Sequence, residues 1–168
     1  MTKKVALIAL VAGALFLSGC NQQGKDAEAP KQEAAVQASL VAPPADNAQA
    51  WKLYLVNVAK QHMEGIRSSP FMYYLPAQEA EDFDEQYRRQ VDNVGGAVMR
   101  GVLPGNMLAF GSPASGRMAD LIVEAFQHVP AGSMKDVRVL FIGSSDDLER
   151  VREAVEPSGA NVVFHEVK

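Results

Sequence analysis

The chain reads Val137-Arg138-Val139-Leu140-Phe141-Ile142 and then Gly143-Ser144-Ser145, and this stretch decides its fold. A short, nearly continuous apolar run is typical of a strand that is buried on both faces of a parallel sheet. The glycine and the two serines end the strand and open a helix, because Leu148, Val151 and Val155 then recur at helical spacing. A strand followed at once by an amphipathic helix predicts a β-α unit.

The same alternation of strand and helix runs through the rest of the chain. Helical apolar stripes begin at Trp51, Phe83 and Met118, and the first is expected to continue to Ile66, before Ser68-Ser69-Pro70. The predicted strands cover residues 71–75, 107–110, 137–142 and 161–167. A helix followed by β-α-β-α-β-α-β favours a small three-layer α/β sandwich with a mostly parallel four-stranded sheet, the last strand lying at an edge. An α+β ferredoxin-like arrangement is the alternative.

The N-terminus has the pattern of a secretory signal. Lys3 and Lys4 precede an apolar run over residues 5–17, and small residues follow. This run is shorter than the roughly 20 apolar residues that a membrane-spanning helix needs. The order Leu17-Ser18-Gly19-Cys20 resembles the lipobox of bacterial lipoproteins, a resemblance confined to residues 1–20. It implies diacylglyceryl transfer to the sulfur of Cys20, cleavage before Cys20 and acylation of the new amino group.

This resemblance predicts a chain held in the cell envelope by lipid and facing the periplasm. Two or more acyl chains anchor a protein stably where one is marginal, because each buried methylene contributes about 0.8 kcal/mol. The residue after the lipidated cysteine is Asn21 rather than an aspartate. An asparagine at this position resembles outer-membrane lipoproteins, so we expect the anchor to lie in the outer membrane rather than in the inner membrane.

The expected division of the chain has three parts. Residues 1–19 are the signal peptide, and residues 20–47 are the lipidated cysteine and a flexible linker rich in Gln, Ala, Glu, Lys, Asp and Pro. A coil of that length spans about 30 Å on average. Residues 48–168 are then one globular α/β domain, tethered close to the membrane.

The amino-acid composition limits the kinds of function that the domain can have. The chain carries 16 Lys and Arg against 20 Asp and Glu, a net charge of −4, and it has no basic stripe, so a nucleic-acid partner is not expected. Cys20 is the only cysteine, so the domain must be stabilised by packing rather than by disulfides. His62, His128 and His165 lie on three separate elements and form no ligand motif, so neither a metal site nor a cofactor is expected.

One loop has the glycine spacing of a phosphate-binding loop, from Gly111 to Gly116, between a strand and a helix. Arg117 then replaces the lysine and Met118 the magnesium-binding Ser or Thr, which argues against nucleotide hydrolysis. The simplest role of Ser112, which precedes Pro113, is to cap the next helix. An anion or small-ligand site at the strand ends stays the alternative. Its candidate residues are Ser112, Ser115, Gly116, Arg117, Ser144 and Ser145.

Two functions are therefore compatible with the sequence. The first is a non-catalytic binding or accessory module for another envelope component, because no catalytic set is visible. The second is a small-ligand or anion-binding domain, or a hydrolase, that uses the loops at the strand carboxyl ends. A concave pocket with convergent polar groups at those ends favours the second, and a flat apolar surface favours the first.

Overall fold

The structure, a computed structural model, describes residues 41–168. The predicted signal peptide, Cys20 and most of the predicted linker therefore lie outside the described residues. From residue 41 onward, no helix is long and apolar enough to cross a membrane.

The elements alternate as the sequence predicts. The helices are α1 (Ala48–Gln61), α2 (Phe83–Arg100), α3 (Ser115–Phe126) and α4 (Leu148–Val155). The strands are β1 (Phe71–Tyr74), β2 (Met107–Gly111), β3 (Arg138–Gly143) and β4 (Asn161–Glu166). Short 3-10 turns, Ser145–Asp147 and Glu156–Ser158, flank α4.

The sheet is four-stranded and parallel throughout, with strand order β1-β2-β3-β4. Its register places Phe110 beside Phe141 and Phe141 beside Phe164. The predicted small α/β fold with β4 at an edge is confirmed. The ferredoxin-like alternative is excluded, because that arrangement contains antiparallel neighbours.

The strand order sets which face each helix covers. Each crossover moves to the next strand in the same direction, so crossovers of one hand place α2, α3 and α4 on one face of the sheet. Their buried side chains form one core with Phe110 and Phe141. On the opposite face α1 is the one helix of the described residues, and it packs against Met107, Ala109 and Leu140. The sheet consequently has no point at which the strand order reverses, where open α/β sheets form their ligand crevice.

The first helix is shorter than its apolar stripe predicts. It ends at Gln61, and His62 is its C-cap. Gly65 then has a positive φ of 76°, so the chain turns away from the helix. Met63 and Ile66 nevertheless pack against the core on the α1 face, which explains why the apolar pattern continues past the helix end.

Candidate functional site

The loops that follow β2 and β3 contact each other directly at the carboxyl edge of the sheet. The backbone N–H of Ser144 donates to Ser115 Oγ at 2.8 Å. The Ser115 hydroxyl in turn donates to Asp147 Oδ2 at 2.7 Å. Two of the candidate residues, Ser115 and Ser144, are thus brought together by a hydrogen bond between the hydroxyl of one and the backbone N–H of the other.

Arg150 of α4, which sequence reasoning did not single out, joins the same loops. Its guanidinium donates to Asp147 Oδ1 at 2.7 Å and to the carbonyl of Gly116 at 2.7 Å. It also pairs with Asp120 of α3. Partial burial opposes the charge on Arg150, but the hydrogen bonds that it donates to the carboxylates of Asp120 and Asp147 outweigh burial and raise the pKa of the guanidinium. We call Ser115, Asp120, Asp147 and Arg150 the loop clamp.

The close approach of these loops requires a glycine at the end of β3. A Cβ added to Gly143 would lie 2.6 Å from Ser115 Oγ and 2.6 Å from Phe141 Cζ. No side chain larger than hydrogen fits there without displacing one of them. Gly143 therefore serves the loop clamp by allowing Ser115 to reach the Ser144 amide.

Ser112 is buried and directed toward the neighbouring loop. Its hydroxyl accepts from the Ala114 N–H at 2.9 Å and lies 3.4 Å from the carbonyl oxygen of Pro76. The helix begins at Ser115, not at Pro113, and Ala114 occupies the N-cap position without a side-chain hydrogen bond. The predicted cap bond exists, but it closes a turn ahead of the helix, because Ser112 reaches only two residues along the chain.

Arg117 points away from the loop and toward α2. Its guanidinium carbon lies 4.4 Å from the centre of the Tyr87 ring, and one of its nitrogens lies 3.0 Å from Asp120 Oδ2. Tyr87 donates to Glu124 Oε2 at 3.2 Å. Burial, followed by the Glu124 carboxylate, raises the pKa of Tyr87 to about 12. Arg117 therefore holds α3 against α2 and is already paired where the sequence suggested a ligand-binding cation.

The two serines after β3 differ in their roles. Ser144 Oγ accepts from the Asp146 N–H at 3.3 Å and caps the short turn before α4. Ser145 is exposed on that turn. Only one of the two is therefore tied into the loop by its hydroxyl in the described contacts.

The carboxylate of Asp147 joins the beginnings of α3 and α4. Helix N-termini attract negative charge because their first amides are unpaired and their dipole is positive. Asp147 precedes α4 and accepts from the hydroxyl of Ser115, the first residue of α3. It is also held by Arg150. The side chains of Ser115, Asp147 and Arg150 thus bond one another where the two central loops meet.

A second polar cluster, which the sequence did not reveal, lies between α1 and β4. The ring centroids of His62 and His165 are 6.0 Å apart, and those of Tyr54 and His165 are 6.2 Å apart. His62 Nε2 and the Tyr54 hydroxyl are buried and have no hydrogen-bond partner among residues 41–168. The rings meet edge to face, with planes 81° apart for His62 and His165 and 66° apart for Tyr54 and His165.

The surroundings of both histidines favour the neutral imidazole over the charged form. Burial, and secondarily the Arg138 guanidinium, lowers the pKa of His62. Burial and then the charge of His62 lower the pKa of His165. Arg138 donates to the backbone carbonyls of His62 and, at 3.0 Å, of Glu64, so it fixes the end of α1 beside the pair. Within residues 41–168 no group of three or more His, Cys, Asp or Glu side chains could hold a metal ion.

No known protein family matches this chain, and no curated protein or solved structure is significantly similar to it.

Proposed function

We propose that this chain is a lipid-anchored envelope protein whose α/β domain is a non-catalytic binding or accessory module for another envelope component. The observation that supports it best is the loop clamp. In a parallel sheet, ligand chemistry depends on free amides and side chains at the strand carboxyl ends. Here Ser115, Asp147 and Arg150 bond one another at that position.

The distribution of apolar surface supports the same function. Several large apolar side chains are exposed on the domain. Phe71 is 50% exposed and Leu103 75%, and the two line the same cavity. Exposed apolar side chains near one another are typical of protein contact surfaces rather than of small-molecule sites.

The anchor rests on the lipobox resemblance at Leu17-Ser18-Gly19-Cys20. A lipid at Cys20 would place the domain at the membrane, and the chain between Cys20 and α1 would let it reach a neighbour. Cross-linking of the full chain in cells tests both parts. We expect a specific adduct with a different envelope protein, lost when Cys20→Ser releases the domain. An adduct pattern that is unchanged by Cys20→Ser, or the absence of any such adduct, would contradict the proposal.

The alternative, an anion-binding domain, has one observation in its favour: two arginines, Arg117 and Arg150, lie near the N-terminus of α3. Titration with inorganic phosphate and sulfate, followed by thermal unfolding, separates the two functions. We expect no saturable rise in Tm, because both arginines already pair with Asp120. Saturable stabilisation that disappears in Arg117→Ala and persists in the control Arg152→Ala would establish the alternative.

A further inference from the structure

A cavity of about 510 Å³ lies at the amino edge of the sheet, the edge opposite the loop clamp. Its lining comes from the loops that lead into the strands: residues 65–67 ahead of β1, 104–105 ahead of β2, 136–138 where β3 begins, and Asn161, the first residue of β4. The strands are parallel, so these loops share one edge of the sheet. The volume is within the range of small-molecule sites, about 300–1,000 Å³.

Backbone hydrogen bonds hold these loops against one another. The Arg67 N–H donates to the Gly105 carbonyl at 2.9 Å, and the Gly105 N–H donates to the Asp136 carbonyl at 2.7 Å. The Asn161 N–H donates to the Val137 carbonyl at 2.8 Å. The walls of the cavity are therefore preformed, and a ligand would not need to order them.

The charged side chains that line the cavity form no ion pair within residues 41–168. Arg67 and Asp136 are exposed, and neither has a salt-bridge partner there. Arg138 donates through one nitrogen to the carbonyls of His62 and Glu64, and its Nε is buried without a hydrogen-bond partner. The cavity thus carries two cationic side chains and one anionic side chain that do not neutralise one another.

We propose that this cavity binds a free aliphatic α-amino acid as its zwitterion. Arg67 and Arg138 hold the carboxylate, because a guanidinium presents a fixed fork of donors to it. The Asp136 carboxylate accepts from the ammonium group. Ile66 and Pro104, which line the same cavity, contact the aliphatic side chain. A simple anion such as phosphate lacks the ammonium group and would meet the Asp136 carboxylate as a like charge.

Isothermal titration calorimetry of the full chain in detergent tests the proposal with three ligands that share one side chain. We expect saturable binding of L-leucine. L-leucinamide, which lacks the carboxylate, and N-acetyl-L-leucine, which lacks the ammonium group, should each bind at least tenfold more weakly. Equal binding of L-leucine and N-acetyl-L-leucine would indicate an anion site and overturn the proposal. The absence of saturable L-leucine binding would overturn it as well.

Two substitutions assign the charges to residues. Arg67→Gln and Asp136→Asn should each raise the dissociation constant of L-leucine by tenfold or more. Asparagine adopts a positive φ readily, so Asp136→Asn keeps the turn in which Asp136 has a φ of 61°. Arg100→Gln and Asp92→Asn are the matched controls, because both residues are exposed on α2, and they should leave binding unchanged. Equal binding in the variants and their controls would refute the assignment.

His62 provides a second readout, which a purely structural role of Arg138 would not change. After burial, the Arg138 guanidinium is the second cause that lowers the pKa of His62. A carboxylate bound beside Arg138 offsets part of that positive charge, so saturating L-leucine should raise the pKa of His62. NMR titration of the imidazole signals measures this change. An unchanged His62 titration in the presence of bound L-leucine would contradict the contact with Arg138.

Discussion

Replacement of Arg150 by Met should destabilise the domain by more than the loss of an ordinary surface arginine. Methionine keeps much of the apolar stem and removes the charged fork. The guanidinium donates to Asp147, Asp120 and the carbonyl of Gly116. Asp147 is only 16% exposed in its side chain, so its carboxylate would lose a partner in a place that water reaches poorly.

The expected loss of unfolding free energy in Arg150→Met follows from the partial exposure of the loop clamp. Removing one partner of a buried ion pair costs about 3–5 kcal/mol, and removing one of an exposed pair about 0–1 kcal/mol. The Arg150 side chain is 38% exposed and Asp120 also 38%, so we place the loss at about 2–3 kcal/mol, between those limits. Arg150→Lys keeps the charge without the fork and should lose less.

Equilibrium urea unfolding measures this loss. The single tryptophan, Trp51, is 2% exposed and reports the opening of the core. A loss of 2–3 kcal/mol should lower the urea midpoint by about 1–2 M for a domain of this size. Arg152→Met is the matched control, since Arg152 lies on the same helix, is equally exposed at 38%, and pairs only with Glu156 in the ion pairs of residues 41–168. If both substitutions cost the same, the loop clamp has no structural role.

Two further predictions concern the face that α1 covers. The histidine pair should make the free energy of unfolding fall as the pH drops below about 6.5, by at most about 1.4 kcal/mol per pH unit for each proton, because the lowered pKa values of His62 and His165 let the unfolded chain take up protons first. Urea unfolding between pH 5 and 8 should show a weaker dependence of the unfolding free energy on pH in His165→Phe, with His128→Gln as the exposed-histidine control. An unchanged pH dependence in His165→Phe would contradict the mechanism. Gly111→Ala should cost about 1–3 kcal/mol of stability, because its Cβ would lie 2.3 Å from Leu55 Cδ2. The control Gly95→Ala, with no atom within 4 Å of the new Cβ, should stabilise α2 by up to about 1 kcal/mol. Thermal unfolding of both variants checks the opposite signs, and a Gly111→Ala domain as stable as the wild type would contradict the close approach of α1.

The fold could be predicted from local patterns because each β-α unit carries its own signal. The apolar run of β3 and the stripe of α3 are readable without knowledge of any partner. The end of α1 could not be predicted in this way. Met63 and Ile66 stay in the core after the chain leaves the helix, so burial continued where the helix did not.

The site residues that the sequence missed depend on contacts across long separations. Arg150 and Asp120 are 30 residues apart, and only the side-by-side placement of α3 and α4 brings them together. His62 lies at the end of α1 and His165 on β4, and they meet because α1 packs across that face of the sheet. Conversely, Ser112, Ser115 and Arg117 follow one another closely in sequence, yet they point to three different neighbours.

The N-terminus of the mature protein offers the most direct test of the proposed lipid anchor. Mass spectrometry of the protein purified from membranes should find a chain that begins at Cys20 and carries a diacylglyceryl group on its sulfur and an acyl group on its amino nitrogen. Cys20→Ser should give a chain without lipid and deplete the domain from the membrane fraction. A wild-type chain that retains Met1, or one whose Cys20 sulfur is free, would contradict the anchor.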